Sequence, residues 1–181
     1  MACAGSGLSG GSAIHASPDG TFFYNSGTTL ADLRDGSSNT AVISENILGS
    51  GAAAIATPPA ASNPAEMQVE IPYVPITTFS PLTESECASP IRWANNRNRA
   101  WVQGDFRNAL YTHYITPNSK TYDCLRGSDY GWKTARSRHS GGVNVLFGDG
   151  RVQFVKDSVN VATWRPLGSR AGGEAVSSDS Y

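Results

Sequence analysis

Charge is scarce in this chain. Only 16% of its 181 residues are Asp, Glu, Lys or Arg, and the net charge is -1. A nucleic-acid binder needs a basic stripe to neutralise phosphates, so that class is excluded. No run of about 18 apolar residues occurs, so nothing in the sequence reads as a membrane-spanning helix. No secretory leader opens it either: "MACAGSGLSGG" is small and polar and resembles the middle of a protein. That opening fits an ectodomain fragment, or a start codon inside a longer gene. Cysteine is sparse. Cys3, Cys87 and Cys124 form no CxxC and no Cys/His cluster with zinc spacing. An odd count permits one bridge and one leftover thiol. Lysine occurs only at Lys120, Lys133 and Lys156. Together with the Ser, Thr, Asn and Gly content, that suits an exported protein.

What is abundant is turn chemistry. There are 19 glycines and 10 prolines, many beside Ser, Thr and Asn. Such a composition favours short strands and turns over long helices. The length fits one domain, 1–181, large enough to bury a core without metal or dense disulfides. Residues 1–20 read as a Gly/Ser-rich loop and 20–27 as a short aromatic strand. "DGSSNT" (35–40) reads as a turn, because Asp35 and Asn39 can bond nearby backbone and Gly36 tolerates positive φ. "TAVISENIL" (40–48) is a strand or a short helix; the alternation favours a strand buried on both faces. Residues 50–66 are Ala/Pro-rich and read as a surface excursion. "MQVEIPYVPITTF" (67–79) is extended, and its prolines argue against a central strand position. In 92–115, Trp93, Ala94, Trp101, Ala109 and Leu110 could line a helix stripe, or Trp101 could open a strand. Core packing is the plainer role for these tryptophans, and a ligand-stacking platform the rival one.

"SRHSGGVNVLFGDGRVQF" (137–154) is the strongest local signal. Asp149-Gly150 is a favoured pair for a two-residue hairpin turn. With that pair at the tip, Phe147 faces Val152, Val145 faces Phe154 and Val143 faces Lys156. Val143, Val145, Phe147, Val152 and Phe154 then share one apolar face, with Leu146 and Val155 opposite. His139 lies ten residues before Asp149, which spans roughly 33 Å when extended. The two are therefore not a catalytic dyad. His139 is a polar anchor where the strand enters the sheet, near Asp157 and Asn160, and Asp149-Gly150 is the hairpin tip.

These residues carry a resemblance. His139, nine residues, then Asp149-Gly150 resembles the H-x9-D-G signature of a large family of pilin-like proteins abundant in planctomycetes. That family is of unknown function and is sometimes filed in name with bacterial solute-binding proteins. The match runs on through 137–176, including Gly141, Gly142, Trp164 and Gly172-Gly173-Glu174. "LRDGSSNTAVISE" (33–45) resembles the family's central block, and "ACAGSG" (2–7) the region before it. Residues 50–80 resemble a variable insertion. The resemblance implies export to the cell surface and a pseudopilin-like α+β globular head lacking its N-terminal helix, with a membrane helix upstream in the intact protein. It implies a structural role in a surface filament or secretion apparatus, with copies of itself or other pilin-like subunits as partners. It supplies no catalytic residue and no cofactor. Export in turn implies an oxidising compartment. Cys87 and Cys124 flank the aromatic segment, so a bridge between them is expected, with Cys3 free. The chain-entropy model assigns such a loop roughly 4 kcal/mol.

Other chemistries have thin support. No G-x-S-x-G occurs, and "HSGG" lacks the partners of a nucleophilic triad. Asp35, Asn39, Glu45 and Asp149 are hard oxygen donors that suit calcium, but the EF-hand pattern is absent and Asx-type turns explain them more simply. "GSRAGGE" (168–174) lacks the lysine and strand–helix context of a phosphate loop. Arg92, Arg97, Arg99 and Arg107 read as a solvated face pairing with carboxylates rather than an anion site. The expected fold is thus one α+β domain, mainly antiparallel sheet with short helices and long loops. An extracellular module binding a carbohydrate or other surface ligand through Trp and Tyr is the alternative function, and an enzyme with an unrecognised site the third.

Overall fold

The computed structural model describes residues 1–8, 12–13, 17–51, 63–74, 80–174, 176–177 and 181. Among these, ten short strands appear in chain order: β1 (Ala2–Cys3), β2 (Ser12–Ala13), β3 (Ala41–Ser44), β4 (Gln68–Glu70), β5 (Arg92–Ala94), β6 (Leu110–Tyr111), β7 (Asp123–Arg126), β8 (Tyr130–Trp132), β9 (Gly142–Phe147) and β10 (Val152–Lys156). Two one-turn helices join them, α1 (Glu84–Ala88) and α2 (Val161–Trp164). Thr83 opens α1 with a capping box: its hydroxyl accepts from the Glu86 N–H, and the Glu86 carboxylate accepts from the Thr83 N–H at 3.0 Å. Asn160 caps α2 by accepting from the Ala162 N–H at 2.8 Å.

The strands form two five-stranded sheets, ordered β10-β9-β3-β1-β6 and β2-β8-β7-β4-β5. Each sheet is antiparallel apart from one parallel pairing, β1 with β6 and β4 with β7. The chain is a single α+β domain, mostly sheet, and the described strands form no barrel. The first sheet buries Val143, Val145, Phe147, Val155 and Ala41 against Tyr111, Trp164 and Leu167. The second buries Val69, Cys124, Tyr130 and Trp132 with Ile71 and Leu82. Phe106 and Leu125 lie with Ala4 and Leu110, linking the two.

Several expectations are corrected. The supposed N-terminal loop contains β1, an interior strand with Cys3 fully buried. Residues 20–27 are turn and coil, not a strand. β3 is a strand, but it is not buried on both faces: Ile43 is 43% exposed. β4 sits between β7 and β5, inside its sheet. Its prolines do no harm there because Pro72 falls beyond the strand's end. Most of the Ala/Pro-rich stretch lies outside the described residues, and 50–80 as a whole also holds β4. Segment 92–115 is not a helix. It gives β5, a long turn-rich loop and β6, with Trp101 exposed on the loop.

The β9–β10 hairpin forms where the turn chemistry put it, but its loop has three residues. The Phe147 N–H donates to the Arg151 carbonyl at 2.9 Å, and the Gly150 N–H returns to the Phe147 carbonyl at 3.0 Å. Gly150 takes φ +87°, the left-handed position that three-residue hairpin loops require. The register therefore slips by one: Val155 faces Val143 and Gln153 faces Val145. A slip of one residue turns a strand over. Val155 is fully buried, whereas Val152 and Phe154 lie outside at 61% and 42% exposure. The tip is docked, which fixes the longer loop: the Gly148 and Asp149 N–H groups donate to the Thr40 and Ser37 carbonyls at 3.0 and 3.1 Å.

Candidate functional site

The residues that make up the recognisable motifs converge on two carboxylates. Asp35 accepts from Ser169 Oγ at 2.7 Å and from the Gly172 and Gly173 N–H groups at 2.8 and 2.7 Å. Glu45 accepts from the Asn144 N–H at 2.9 Å and its side-chain amide at 3.1 Å, and its Oε1 lies 3.1 Å from His139 Nε2. Partial burial pushes both carboxyls up, yet these hydrogen bonds outweigh it and hold each below its ordinary value. Asp149 does not meet His139. Its Oδ1 accepts from the Arg151 N–H at 2.9 Å, within its own turn. The partner of His139 is Glu45, from the other motif block, rather than Asp157 or Asn160.

Gly141 and Gly142 serve the same corner. The Gly141 carbonyl accepts from the Asp157 N–H at 2.9 Å, and the Gly142 carbonyl from Ser137 Oγ at 2.7 Å. A side chain at Gly142 would collide with the Val155 carbonyl and the Phe154 ring. The motif blocks are thus a set of internal staples. The carboxylate oxygens of Asp35 and Glu45 are already taken by groups of the chain. Among the described residues no group of three or more His, Cys, Asp or Glu could hold a metal ion.

A second polar centre escaped sequence reasoning. Asp123, on β7, is fully buried and ion-paired to both Arg97 and Arg136, themselves fully buried, with Arg136 at 2.9 Å. Burial raises the Asp123 carboxyl, but the two guanidiniums pull it below its ordinary value. Lys133 is also fully buried; its ammonium meets Asn98 Oδ1 at 2.5 Å and the Arg107 carbonyl at 3.1 Å. Burial, then the neighbouring Arg97, drives its pKa well below that of a free lysine. The Arg92–Arg107 group does pair with carboxylates, Arg92 and Arg107 sharing Glu70. Arg97, however, is in the core rather than on a solvated face. Nothing in the run "DCLR" announces a buried charge, since its partners lie far along the chain.

Two histidines can be placed. His113 is sealed: Nδ1 meets the Trp164 carbonyl at 2.7 Å, Nε2 meets the Tyr111 hydroxyl at 3.2 Å, and the ring stacks on Trp164 at 3.7 Å. Burial lowers its pKa to about 3. Cys3, in the same core cluster, has its thiol pushed up to about 12, chiefly by burial. A neutral imidazole and an un-ionised thiol with no exposure are structural groups. Cys87 and Cys124 are joined by a disulfide, with their Cα atoms 5.8 Å apart, and Cys3 is free.

A cleft of about 1000 Å³ opens on the second sheet. Val69, Trp132 and the buried end of the disulfide form its floor, with Trp93, Tyr114, Ile115 and Tyr122 around them. Glu84, Ala88, Thr121 and Arg165 stand at its rim. Tyr114 is clamped: it stacks on Trp132 at 4.1 Å, Arg165 lies over its other face at 4.2 Å, and its hydroxyl donates to Glu84 at 2.8 Å. A volume at the upper end of the usual range, about 300–1,000 Å³, with apolar walls and few polar groups, is what a binding site looks like. Trp93 and Trp132 belong to this wall, Trp164 belongs to the core, and Trp101 belongs to neither.

A family model of proteins of unknown function, DUF1559, matches residues 4–162, and the chain belongs to that family. Neither a curated protein nor a solved structure matches it.

Proposed function

We propose that the chain is the globular head of an exported, pilin-like assembly subunit, one that joins a surface filament or secretion apparatus through copies of itself or of related subunits. The observation that supports this most is the bare outer face of the first sheet. Ala2, Ile43, Leu146 and Val152 are partners in one row across four strands. Phe154 lies two residues further along the same face. Ile43, Val152 and Phe154 are 43%, 61% and 42% exposed, while the large side chains of β9 on the other face are buried. At the β1–β6 end this same face is covered by Phe106 and Leu125, and Leu146 borders a cleft with Phe22, Leu30 and Leu33; Ile43, Val152 and Phe154 remain exposed. A soluble monomer gains nothing from an exposed Val-Phe-Ile patch on a sheet. The row starts at Ala2, so any chain preceding Met1 leaves the fold beside it. An apolar helix there has a face to lie on, and that helix is the proposed route to the membrane and to neighbouring subunits.

The disulfide fits an oxidising compartment outside the cytoplasm. No helix among the described residues is long and apolar enough to cross a membrane. The native gene sequence before residue 1 tests the proposal. An apolar stretch of about 20 residues behind a short basic leader ending in a G-F-T-L-I-E-like motif is expected. A plain cleavable signal peptide would overturn it and favour the surface-ligand module instead.

A further inference from the structure

Residues 95–109 form a long loop whose tip is apolar. Trp101 is 86% exposed and Val102 76%, the two most exposed large apolar side chains among the described residues. They are not loosely held. They form the centre of a turn closed by the Gln103 N–H donating to the Ala100 carbonyl at 2.9 Å. Asn108 braces the turn from beneath, 5% exposed. Its Oδ1 accepts from the Ala100 N–H at 3.1 Å, and its amide donates to Gln103 Oε1 at 2.8 Å and Asp105 Oδ1 at 3.0 Å. The Asp105 carbonyl in turn accepts from the Ala109 and Leu110 N–H groups, both at 2.9 Å. Holding an indole out in water on a stiff polar frame gains the folded chain nothing, but it pre-pays the ordering cost of binding. Tryptophan is also the residue type most enriched among binding anchors.

The same molecule carries an apolar socket, the aromatic cleft of about 1000 Å³. Residues 100–102 form no part of its lining, so knob and socket are different surfaces. Their exposed charges are opposite: exposed Arg99 stands two residues from Trp101, and on the cleft rim Glu84 is exposed whereas Arg165 is half-buried over Tyr114. We infer that the Trp101–Val102 tip of one copy enters the aromatic cleft of the next, with Arg99 meeting Glu84. Such a contact is heterologous. Each copy keeps one free knob and one free socket, so the contact propagates head to tail instead of closing as a twofold dimer.

This inference rests on the self-assembly part of the proposed function, and its test uses the 181-residue chain itself. Failure here therefore leaves the upstream-helix proposal standing, and failure there leaves this result intact. Sedimentation over a concentration series should show the wild-type mass rising past that of a dimer. Trp101→Ser removes the knob and should weaken self-association by about 30-fold or more. Ala88→Trp fills the socket from its exposed rim and should do the same; Thr121→Trp, on another exposed stretch of the rim, replaces it if Ala88→Trp fails to fold. Mixing Trp101→Ser with the socket-filled variant is the decisive arm. One has a free socket and the other a free knob, so the mixture should form dimers that neither forms alone, and should stop there. A wild type that stays monomeric, a Trp101→Ser protein that still associates, or a mixture that yields no dimers would each overturn the inference.

Discussion

The two sheets are held together by different chemistry. In the first, carboxylates catch backbone N–H groups: Asp35 takes Gly172 and Gly173, and Glu45 takes Asn144. In the second, side chains pair with side chains in the interior, Asp123 with Arg97 and Arg136, and Glu70 with Arg92 and Arg107. A disulfide closes it. A carboxylate that binds backbone N–H groups loses little when protonated partners shift, because the donors are uncharged and near the surface. A buried ion pair cannot give up one member without stranding the other. The second sheet should therefore be brittle to substitution and the first tolerant.

The largest effect follows from that brittleness. Asp123→Asn leaves Arg97 and Arg136 buried without a counter-charge and should cost about 3–5 kcal/mol in urea unfolding. A loss under about 1 kcal/mol would erase the distinction between the sheets. Next comes the bridge: Cys87→Ser opens a loop with a sequence separation of 37, and should cost about 2–4 kcal/mol, matched by the wild type under reductant.

Acid should act on both sheets through different groups. The folded chain refuses a proton at His113 until about pH 3, whereas an unfolded imidazole accepts one near 6.5. The unfolded state therefore binds more protons across that window, and stability falls with acidification by about 1.4 kcal/mol per pH unit. Asp35, Glu45 and Asp123 have lowered pKa values from 3.8, 4.5 and 3.8 respectively, so their contribution is full above those values and is lost below them. Unfolding midpoints measured between pH 6.5 and about 5 separate the histidine from these carboxylates, and His113→Gln should flatten that slope. A slope unchanged by the substitution would remove His113 from the account. In the first sheet, Gly150→Val strains a left-handed position that has open space around it, for about 1–3 kcal/mol. The smallest effect is expected at the knob, where Trp101→Ser should change stability by no more than about 0.5 kcal/mol.

How much of this was legible follows the same divide. The hairpin's place was readable because Asp149-Gly150 sits between two alternating runs, and the strand at 41–44 because Ala-Val-Ile-Ser follows a clear turn. Local chemistry sufficed for both. The hairpin register was not readable from alternation, because β10 has apolar residues on both faces and its bulkier pair, Val152 and Phe154, points outward. Alternation assumes that the larger apolar set is buried, and it fails where that set lies on the exposed face, as Val152 and Phe154 do. The buried ion centre was illegible for another reason. Arg97 and Asp123 are 26 residues apart, and nothing in either segment marks its charge as internal. Trp101 misled in the opposite sense, since composition favours burial for tryptophan and the loop frame that exposes it is built from scattered Asn, Asp and Gln side chains.

The place of β1 has a consequence in time. Residues 2–3 are made before the strands they pair with, yet they sit between β3 and β6, and their parallel partners are Leu110 and Tyr111. The first sheet also needs β9, which ends at Phe147. A chain emerging in order must therefore leave its earliest strand unpaired on one edge until most of the sequence exists, and then close a loop of over a hundred residues around it. Contacts of such sequence separation make for slow folding. During that interval an unpaired edge next to the Ile43–Leu146–Val152 row is the part of the molecule most in need of cover.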